Sequence, residues 1–146
     1  MPELPEVEVV RRDLDAVLRG KRIASVVVTG RRSVRRYDDP QTFVDRLTGA
    51  TVTEVGRRGK HILVQLADSD VLVVHLRMSG QVLLVRDDAP APKHTHVVFT
   101  TDAGDVVRFV DPRTFGELFV TTPELPELAH FGIEPLDPAT TPEVLG

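Results

Sequence analysis

The chain of 146 residues contains no cysteine, so it offers neither a disulfide framework nor a cysteine-based zinc or redox site. It also lacks a long apolar run, and no basic stretch stands ahead of one near the first residue. We therefore expect neither a signal peptide nor a membrane span, and a cytoplasmic location. The length suits one domain that folds around its own core.

An excess of positive charge is lacking too, because the formal net charge is -4. That value argues against a nucleic-acid partner until the chain is divided at Lys60. Residues 1–60 contain 13 of the 18 Lys and Arg residues, and residues 61–146 contain 13 of the 22 Asp and Glu residues. Such a concentration favours a phosphate-binding surface, although solvated surface charge is its more common cause. The clustered residues are Arg31, Arg32, Arg35, Arg36, Arg57, Arg58 and Lys60.

Two segments have the features of helices. Apolar residues recur at helical spacing between Val7 and Leu18, Pro5 suits a first-turn position, and Gly20 is placed to end the helix. This pattern predicts an amphipathic helix over about 5–19. The segment PQTFVDRLTG predicts a second, shorter helix.

Most of the remaining sequence up to residue 122 is typical of strands. Short β-branched segments are separated by Gly, Asp and Pro, and DAGD has the composition of a hairpin turn. We predict an α+β, mainly β fold: an antiparallel β-sandwich, or flattened barrel, of about eight strands with an N-terminal helix and a second short helix. The predicted strands are IASVVVT, TVTEVGR, HILVQL, VLVVHL, QVLLV, THVVFTT, DVVRFV and ELFVT.

The last segment, residues 123–146, differs in composition from the rest. It is rich in proline and acidic residues and has little periodicity, which is typical of a connector with short helical turns. The string PELPE occurs here for a second time, at 123–127. We interpret that copy as a coincidence in a loop, because an internal proline has no free amine.

The first residues, MPELPEVE, offer chemistry of their own. If Met1 is removed, Pro2 presents a secondary amine, which attacks an electrophilic carbon and leaves an iminium ion. An α-amino group is also less basic than a lysine amine, so more of it is unprotonated at neutral pH. Glu3 follows directly and Glu6 lies one helical turn further on, so the two carboxylates could share proton transfer and orientation of the amine. The alternative is structural, since Pro and Glu are ordinary first-turn residues.

The string PELPEVE at the N-terminus resembles the signature of the bacterial formamidopyrimidine-DNA glycosylases, base-excision repair enzymes that remove oxidised purines. Five further strings resemble the same family in the same order, and together they span almost the whole chain: RRGKHILVQL, HLRMSGQ, KHTHV, DPRTFG and HFGIEPL. The resemblance implies a bifunctional DNA glycosylase and AP lyase that acts on damaged double-stranded DNA. We expect it to be a monomer and to associate with the nucleoid.

The resemblance also implies roles for four catalytic residues. In the family the N-terminal proline, here Pro2, attacks C1′ of the damaged nucleotide, expels the base and holds the sugar as a Schiff base until elimination cuts the strand. Glu3 matches the acid that protonates the opening sugar, and Glu6 matches a supporting carboxylate. Lys60 matches the lysine that contacts phosphate and donates a proton in β-elimination, two compatible roles for an ammonium group.

Five more residues match positions that contact DNA. The resemblance places His94 against a phosphate and Arg113 against the base opposite the lesion, and a phosphate contact is also expected for His75. Met78, Arg113 and Phe115 match the trio that fills the space left by the extruded base, where apolar wedges stabilise the kinked duplex. The other histidines are expected to be structural: His61, His96 and His130.

Members of the family continue into a second half with a helix-two-turn-helix motif and a four-cysteine zinc finger, neither of which occurs in this sequence. The resemblance therefore predicts that residues 1–122 form an N-terminal glycosylase catalytic domain and that 123–146 connect it towards an absent C-terminal domain. Zinc is expected only in that absent domain, and no metal or cofactor is expected in this chain. The absent half also carries phosphate contacts and much of the lesion pocket, so we expect weak DNA binding. The strings PELPE and DPRTFG favour the purine-specific branch, which removes 8-oxoguanine and formamidopyrimidines.

Two other functions remain open at the level of sequence. A tautomerase with an N-terminal proline would use Pro2 as a general base on a small keto acid, but it leaves Lys60, Met78, Arg113 and Phe115 unexplained. A catalytically incomplete fragment of a glycosylase would bind DNA, or a partner protein, without cutting. Retention of Met1 would favour that fragment, because the nitrogen of Pro2 would then be an amide and not a nucleophile.

Overall fold

The computed structural model describes residues 4–77, 79–85, 92–114 and 116–124. The described part contains the two predicted helices and the eight predicted strands, which confirms the α+β, mainly β fold. The helices are α1 (Leu4–Leu18) and α2 (Pro40–Leu47), and the strands are β1 (Ile23–Val28), β2 (Val52–Arg58), β3 (His61–Leu66), β4 (Val71–His75), β5 (Gln81–Val85), β6 (Thr95–Thr101), β7 (Val106–Val110) and β8 (Glu117–Thr121).

Helix α1 buries one face against β2. Val7, Leu14 and Leu18 recur at helical spacing on that face and are almost fully buried. Arg11 lies on the same face and is only 5% exposed. Its guanidinium donates to the carbonyl oxygen of Val55 over 3.2 Å, so a buried charge is compensated by hydrogen bonding and fixes the helix to the strand.

Helix α2 begins where its sequence allows a cap. The side chain of Asp39 accepts a hydrogen bond from the amide of Gln41, and Pro40 occupies the first helical position, where its missing N–H costs nothing. Phe43 and Leu47 are fully buried on the inner side of the helix. Burial of such side chains contributes about 1.5–3 kcal/mol each, which outweighs the low intrinsic stability of a helix of two turns.

A short 3-10 helix, Arg31–Val34, was not predicted. Its first two residues are exposed arginines, whereas Ser33 and Val34 are fully buried. One turn with one apolar residue leaves no periodic signal, so its conformation depends on tertiary contacts with α2, β6 and β8.

The strands form two four-stranded antiparallel sheets, with the orders β1-β6-β7-β5 and β2-β3-β4-β8. The main core lies between these sheets and under the helices, and it includes Val26, Phe99 and Phe109 from one sheet with Ile62 and Val64 from the other. Phe43 of α2 contacts Phe99 with ring centroids 6.4 Å apart. A sandwich with helical cover was the predicted arrangement.

The chain crosses between the sheets three times, and two of these crossings, from β4 to β5 and from β7 to β8, lie at the same end of the sandwich. We call this the crossover end; its described residues are 59–60, 76–77, 79–80, 92–94, 111–114 and 116. The opposite end, which we call the hairpin end, consists of residues 67–70 and 102–105, where the predicted DAGD turn joins β6 to β7. Neither helix among the described residues combines the length and the apolar character needed to cross a membrane.

Candidate functional site

The described residues that were singled out for function lie at the crossover end. Lys60 is in the two-residue turn between β2 and β3, where Gly59 adopts the positive φ of 57° that such a hairpin requires. His75 ends β4, His94 immediately precedes β6, and the exposed Arg113 follows β7. Four predicted site residues lie outside the described residues: Pro2, Glu3, Met78 and Phe115.

Glu8 connects the first turns of α1 to the hairpin that carries Lys60. Its carboxylate accepts hydrogen bonds from Arg57 over 2.7 Å, from Arg11 over 2.8 Å and from Arg12 over 3.0 Å. The hydrogen bond from Arg11, with those from Arg57 and Arg12, lowers the pKa of Glu8 to about 2 although burial acts in the opposite direction. The carboxylate is therefore ionised at neutral pH and fixes the helix start near Lys60.

Glu6 lies in the first turn of α1 and is exposed, on the N-terminal side of this anchor. A carboxylate there complements the positive end of the helix dipole. The anchored helix thus begins at the same end of the sandwich as Lys60.

Two histidines form a stacked pair beside this hairpin. His61 and His75 face each other across β3 and β4, with ring centroids 3.9 Å apart. Burial, together with the positive charge of Arg77, lowers the pKa of His61 to about 4; burial, His61 and Arg77 lower that of His75 to about 3. Both rings are neutral at pH 7, so a phosphate contact by His75 would be made by a neutral N–H donor.

Three arginines surround one buried carboxylate at the start of β8. Glu117 is 4% exposed and accepts two hydrogen bonds from Arg36, over 3.0 and 3.1 Å, while Arg77 and Arg35 approach it to 3.6 and 3.8 Å. Burial acts to raise the pKa of Glu117, but the hydrogen bond and charge of Arg36 and the charges of the other two arginines lower it overall. Three guanidinium groups around one carboxylate leave a local excess of positive charge next to His75.

The predicted basic cluster therefore has structural and surface members. Arg36 pairs with Glu117 and stacks over the ring of Phe119, with its guanidinium 4.1 Å from the ring centroid, and Arg57 pairs with Glu8. Such contacts position these side chains without removing the net positive charge of this end. Among the described residues no group of three or more His, Asp or Glu side chains is arranged to hold a metal ion.

Sequence reasoning missed three carboxylates that organise this end: Glu8, Asp111 and Glu117. Glu8 lies within PELPEVE and Asp111 opens DPRTFG, so both were inside quoted strings but received no role. An Asp-Pro pair does favour the start of a turn, which was the available signal for Asp111. Glu117 gave no signal, because a strand-end acid becomes important only through arginines that are distant in sequence.

A surface hollow of about 590 Å³ lies away from these residues and is lined by Tyr37, Arg46 and Asp70 among others. Arg46 is paired there with Asp68 and Asp70, so the hollow offers no excess positive charge to a phosphate. The candidate site is therefore the crossover end.

Comparisons with known proteins identify the family of this chain. The family model described as "Formamidopyrimidine-DNA glycosylase N-terminal domain" matches residues 1–118. A protein from Moorella thermoacetica named formamidopyrimidine-DNA glycosylase is 46% identical over 143 residues, which cover 95% of this chain and 52% of that protein. One of the same name from Brevibacillus brevis is 47% identical over 150 residues, which cover 100% of this chain and 54% of that protein. The chain thus spans about half the length of the curated relatives it matches.

Solved structures lead to the same family. The Lactococcus lactis formamidopyrimidine-DNA glycosylase bound non-covalently to DNA with an AP site is 35% identical, with a TM-score of 0.79 over 88% of this chain and 49% of that one. The same enzyme in complex with DNA containing FAPY-dG is also 35% identical, with a TM-score of 0.78 over 88% of this chain and 47% of that one. Because the family model matches most of the chain and the fold agrees, this protein belongs to the formamidopyrimidine-DNA glycosylase family and corresponds to its N-terminal domain.

Proposed function

We propose that this chain is the part of a base-excision repair glycosylase that carries the nucleophile, and that it acts on oxidised purines in double-stranded DNA with associated AP-lyase cleavage. The observation that carries the proposal is the gathering of Lys60, His75, His94 and Arg113 at one end of the sandwich, to which Glu8 anchors the N-terminal helix. The Lactococcus lactis relatives are bound to DNA with an AP site or a FAPY-dG lesion, which supports damaged DNA as the partner.

In the proposed reaction, the amine nitrogen of Pro2 forms a bond to C1′ as the bond from C1′ to the base breaks. The base leaves with the electron pair of that bond and takes up the proton that the amine loses, and Glu3 protonates the ring oxygen as the sugar opens to an iminium ion. Solvent then takes a proton from C2′, the 3′ phosphate leaves with the electron pair of the C3′–O bond, and Lys60 donates a proton to that leaving group. Glu6 supports the amine, while His75 and His94 bind phosphate.

The charges of the crossover end suit this chemistry. Arginines in excess over Glu117 favour a polyanion beside His75, and Lys60 adds an ammonium group on an adjacent turn. Base extrusion requires groups that enter the stack, a role we assign to Met78, Arg113 and Phe115.

A second candidate function is a DNA-binding fragment without catalysis, because the chain spans only about half the length of its relatives. A tautomerase is disfavoured, since the described strands form two antiparallel sheets and no β-α-β repeat is present among them.

Borohydride trapping tests the proposal directly. The chain is first checked by intact mass for loss of Met1, then incubated with DNA that contains an abasic site in the presence of borohydride, which reduces an iminium ion to a stable amine. A covalent adduct that maps to Pro2 is the expected result. Acetylation of the amine should abolish the adduct, and an adduct that survives acetylation would contradict the mechanism.

A matched pair of variants separates the site from general charge effects. Lys60→Ala should reduce strand cleavage more than adduct formation, because Lys60 is assigned to the elimination step. Arg46→Ala removes a positive charge at the hairpin end, where Arg46 pairs with Asp68 and Asp70, and should leave both unchanged. If a chain with a free amine forms no adduct but binds DNA, the fragment without catalysis is the correct function.

A further inference from the structure

One buried carboxylate contacts two of the turns at the crossover end. Asp111 directly follows β7, and its side chain is completely buried. One carboxylate oxygen accepts a hydrogen bond from the hydroxyl of Ser79, in the turn between β4 and β5, and another from the amide of Arg113 over 3.2 Å. The other oxygen accepts from the amide of Gly116 over 2.7 Å. Two of the three chain segments that cross between the sheets are therefore joined through this one side chain.

The backbone of the same residue reaches a third turn. The amide of Asp111 donates to the carbonyl oxygen of His94 over 3.1 Å, and its own carbonyl oxygen lies 2.7 Å from Nε2 of His96. The amide of Thr114 also donates to that carbonyl oxygen over 3.3 Å. Asp111 thus contacts three turns, whose described residues are 76–77 with 79–80, 92–94, and 111–114 with 116.

Each of these three turns contains a residue with unfavourable backbone geometry. Arg77, His94 and Thr114 have φ angles of 52°, 67° and 55°, and they are three of the four non-glycine residues with positive φ in the described part of the chain; the fourth is Ser69. Left-handed backbone at such residues persists only where surrounding contacts impose it, and it is concentrated at functional sites. The hydrogen bonds of Asp111 are contacts of that kind.

Close packing adds to the constraint at Gly116. A Cβ atom at this position would lie 2.8 Å from the carbonyl oxygen of His75, 2.8 Å from the ring of Phe109 and 3.0 Å from the carboxylate of Asp111. Only glycine allows the backbone to approach His75 and Asp111 this closely.

We propose that Asp111 is a positioning residue that holds the described parts of these three turns in one fixed arrangement, so that Arg113 enters damaged duplex DNA from a rigid support. The part of this inference that concerns DNA rests on the proposed function, whereas the fixed arrangement of the turns does not. Insertion into a base stack costs a few kcal/mol, and turns that were mobile beforehand would add their own ordering entropy to that cost. Turns that are already fixed avoid it.

Amide hydrogen exchange measured by NMR tests the structural part on the whole chain. Asp111→Asn keeps the volume but replaces one acceptor oxygen by an NH2 group, which then faces a donor. We expect exchange at Gly80, Thr95 and Gly116 to become at least about tenfold faster. Asp105→Asn is the matched control, because Asp105 is the buried aspartate at the other end of β7 and accepts a hydrogen bond from Thr101. It should accelerate exchange at Gly104 and leave those three amides within about twofold.

Faster exchange at Gly116 alone, or the same pattern in both variants, would overturn the proposal. If Asp111→Asn does not fold, Ser79→Ala removes one hydrogen bond and should accelerate exchange at Gly80 and Gly116 together, whereas Ser79→Thr keeps a hydroxyl and should restore slow exchange. A response of Ser79→Ala confined to Gly80 would also overturn the proposal.

A comparison of duplex with single-stranded DNA tests whether the fixed turns serve in DNA binding. With 2-aminopurine beside an abasic site in a duplex, the wild-type chain should increase the fluorescence by unstacking the probe. Asp111→Asn should give a smaller increase when the same fraction of the DNA is bound. Borohydride trapping by Asp111→Asn should fall at least about tenfold more on duplex than on single-stranded abasic DNA, whereas equal losses would contradict a positioning role. Failure of the wild-type chain to form an adduct would count against the proposed function, while hydrogen exchange would still decide the role of Asp111.

Discussion

A buried aspartate flanks strand β7 on each side, but the two residues organise different kinds of structure. Asp105, at the hairpin end, accepts from the hydroxyl of Thr101 within its own turn and pairs with Lys21. Asp111, at the crossover end, connects segments that are as far apart in sequence as Ser79 and Gly116. The same residue type thus closes one hairpin and binds one distant lysine at one end, and joins three turns at the other.

The two ends also differ in charge. At the hairpin end Arg46 pairs with both Asp68 and Asp70, so two carboxylates face one guanidinium group. At the crossover end Glu117 is shared among three arginines, which leaves positive charge for a polyanion. The comparison teaches that an overall charge of -4 conceals one end with a local excess of positive charge.

The largest effect is expected from Glu117→Gln, which leaves Arg35, Arg36 and Arg77 close together without their shared carboxylate. Loss of one partner from a buried ion cluster costs about 3 kcal/mol, part of which is recovered because these arginines are partly exposed. Thermal unfolding should show this loss, while DNA affinity at low salt should rise because the variant gains one positive charge. Asp105→Asn should destabilise the chain without that rise, and equal DNA affinities of the two variants would remove the electrostatic contrast between the ends.

The next effect is a loss of folding stability at acidic pH. Because the pKa values of His61 and His75 are about 4 and about 3 in the folded chain, against 6.5 ordinarily, the unfolded chain binds more protons than the folded chain below pH 6.5. Stability should therefore fall as the pH falls from 6.5 to about 4, by about 2 kcal/mol between pH 7 and pH 5 after solvent screening. Denaturant unfolding across this range measures it. His61→Gln combined with His75→Asn should flatten the dependence, and a wild-type decline that begins only below pH 4.5 would contradict it.

A smaller effect is expected from Glu8→Gln. The pKa of Glu8 is about 2 when folded against 4.5 ordinarily, so its contribution is present above pH 4.5 and is lost as the pH falls towards 2. At pH 7 the variant should lose about 1 kcal/mol, since Arg12 is largely exposed and Arg57 is partly so. Adduct formation should fall as well, because the start of α1 is no longer fixed to the Lys60 hairpin. Asp15→Asn, which alters a carboxylate near the other end of α1, serves as the control, and an equal loss of adduct there would argue against a special role for Glu8.

The smallest effect should appear in the salt dependence of DNA binding. Lys60→Ala should lower the slope of log affinity against log salt concentration by about 1, the value for one lost phosphate contact. Arg46→Ala should leave the slope unchanged, because its charge is neutralised at the hairpin end. Fluorescence anisotropy with an abasic duplex at several salt concentrations measures both slopes, and identical changes would mean that neither end is selective for phosphate.

Much of the fold could be predicted because local patterns agree with tertiary packing. The spacing of Val7, Leu14 and Leu18 predicted the buried face of α1, and the helix ends at Leu18, two residues before the predicted stop at Gly20. The eight β-branched segments became eight strands for the same reason. The 3-10 helix at Arg31–Val34 was missed, because a single turn has no period to detect.

The candidate site was predictable only in part. Motifs indicated Lys60, His75, His94 and Arg113, and the structure brings all four to one end. Their roles remain predictions, as do those of the other five site residues: Pro2, Glu3, Glu6, Met78 and Phe115. The boundary between a domain of residues 1–122 and a connector also remains a prediction, since residues 125–146, which include most of the second PELPE string and His130, lie outside the described residues. Glu117 could not be found, because its importance comes from arginines more than 35 positions away in sequence.

The sequence by itself determined which segments become helix or strand, because hydrophobic periodicity and turn residues act over a few neighbouring positions. It also determined the family, since ordered motifs along most of the chain are individually specific. Only the tertiary structure decided that Asp111 and Glu117 organise one end of the sandwich, and that His61 and His75 are neutral there. Burial, shared hydrogen bonds and charge excess arise between residues distant in sequence, and they exist only once the two sheets have packed together.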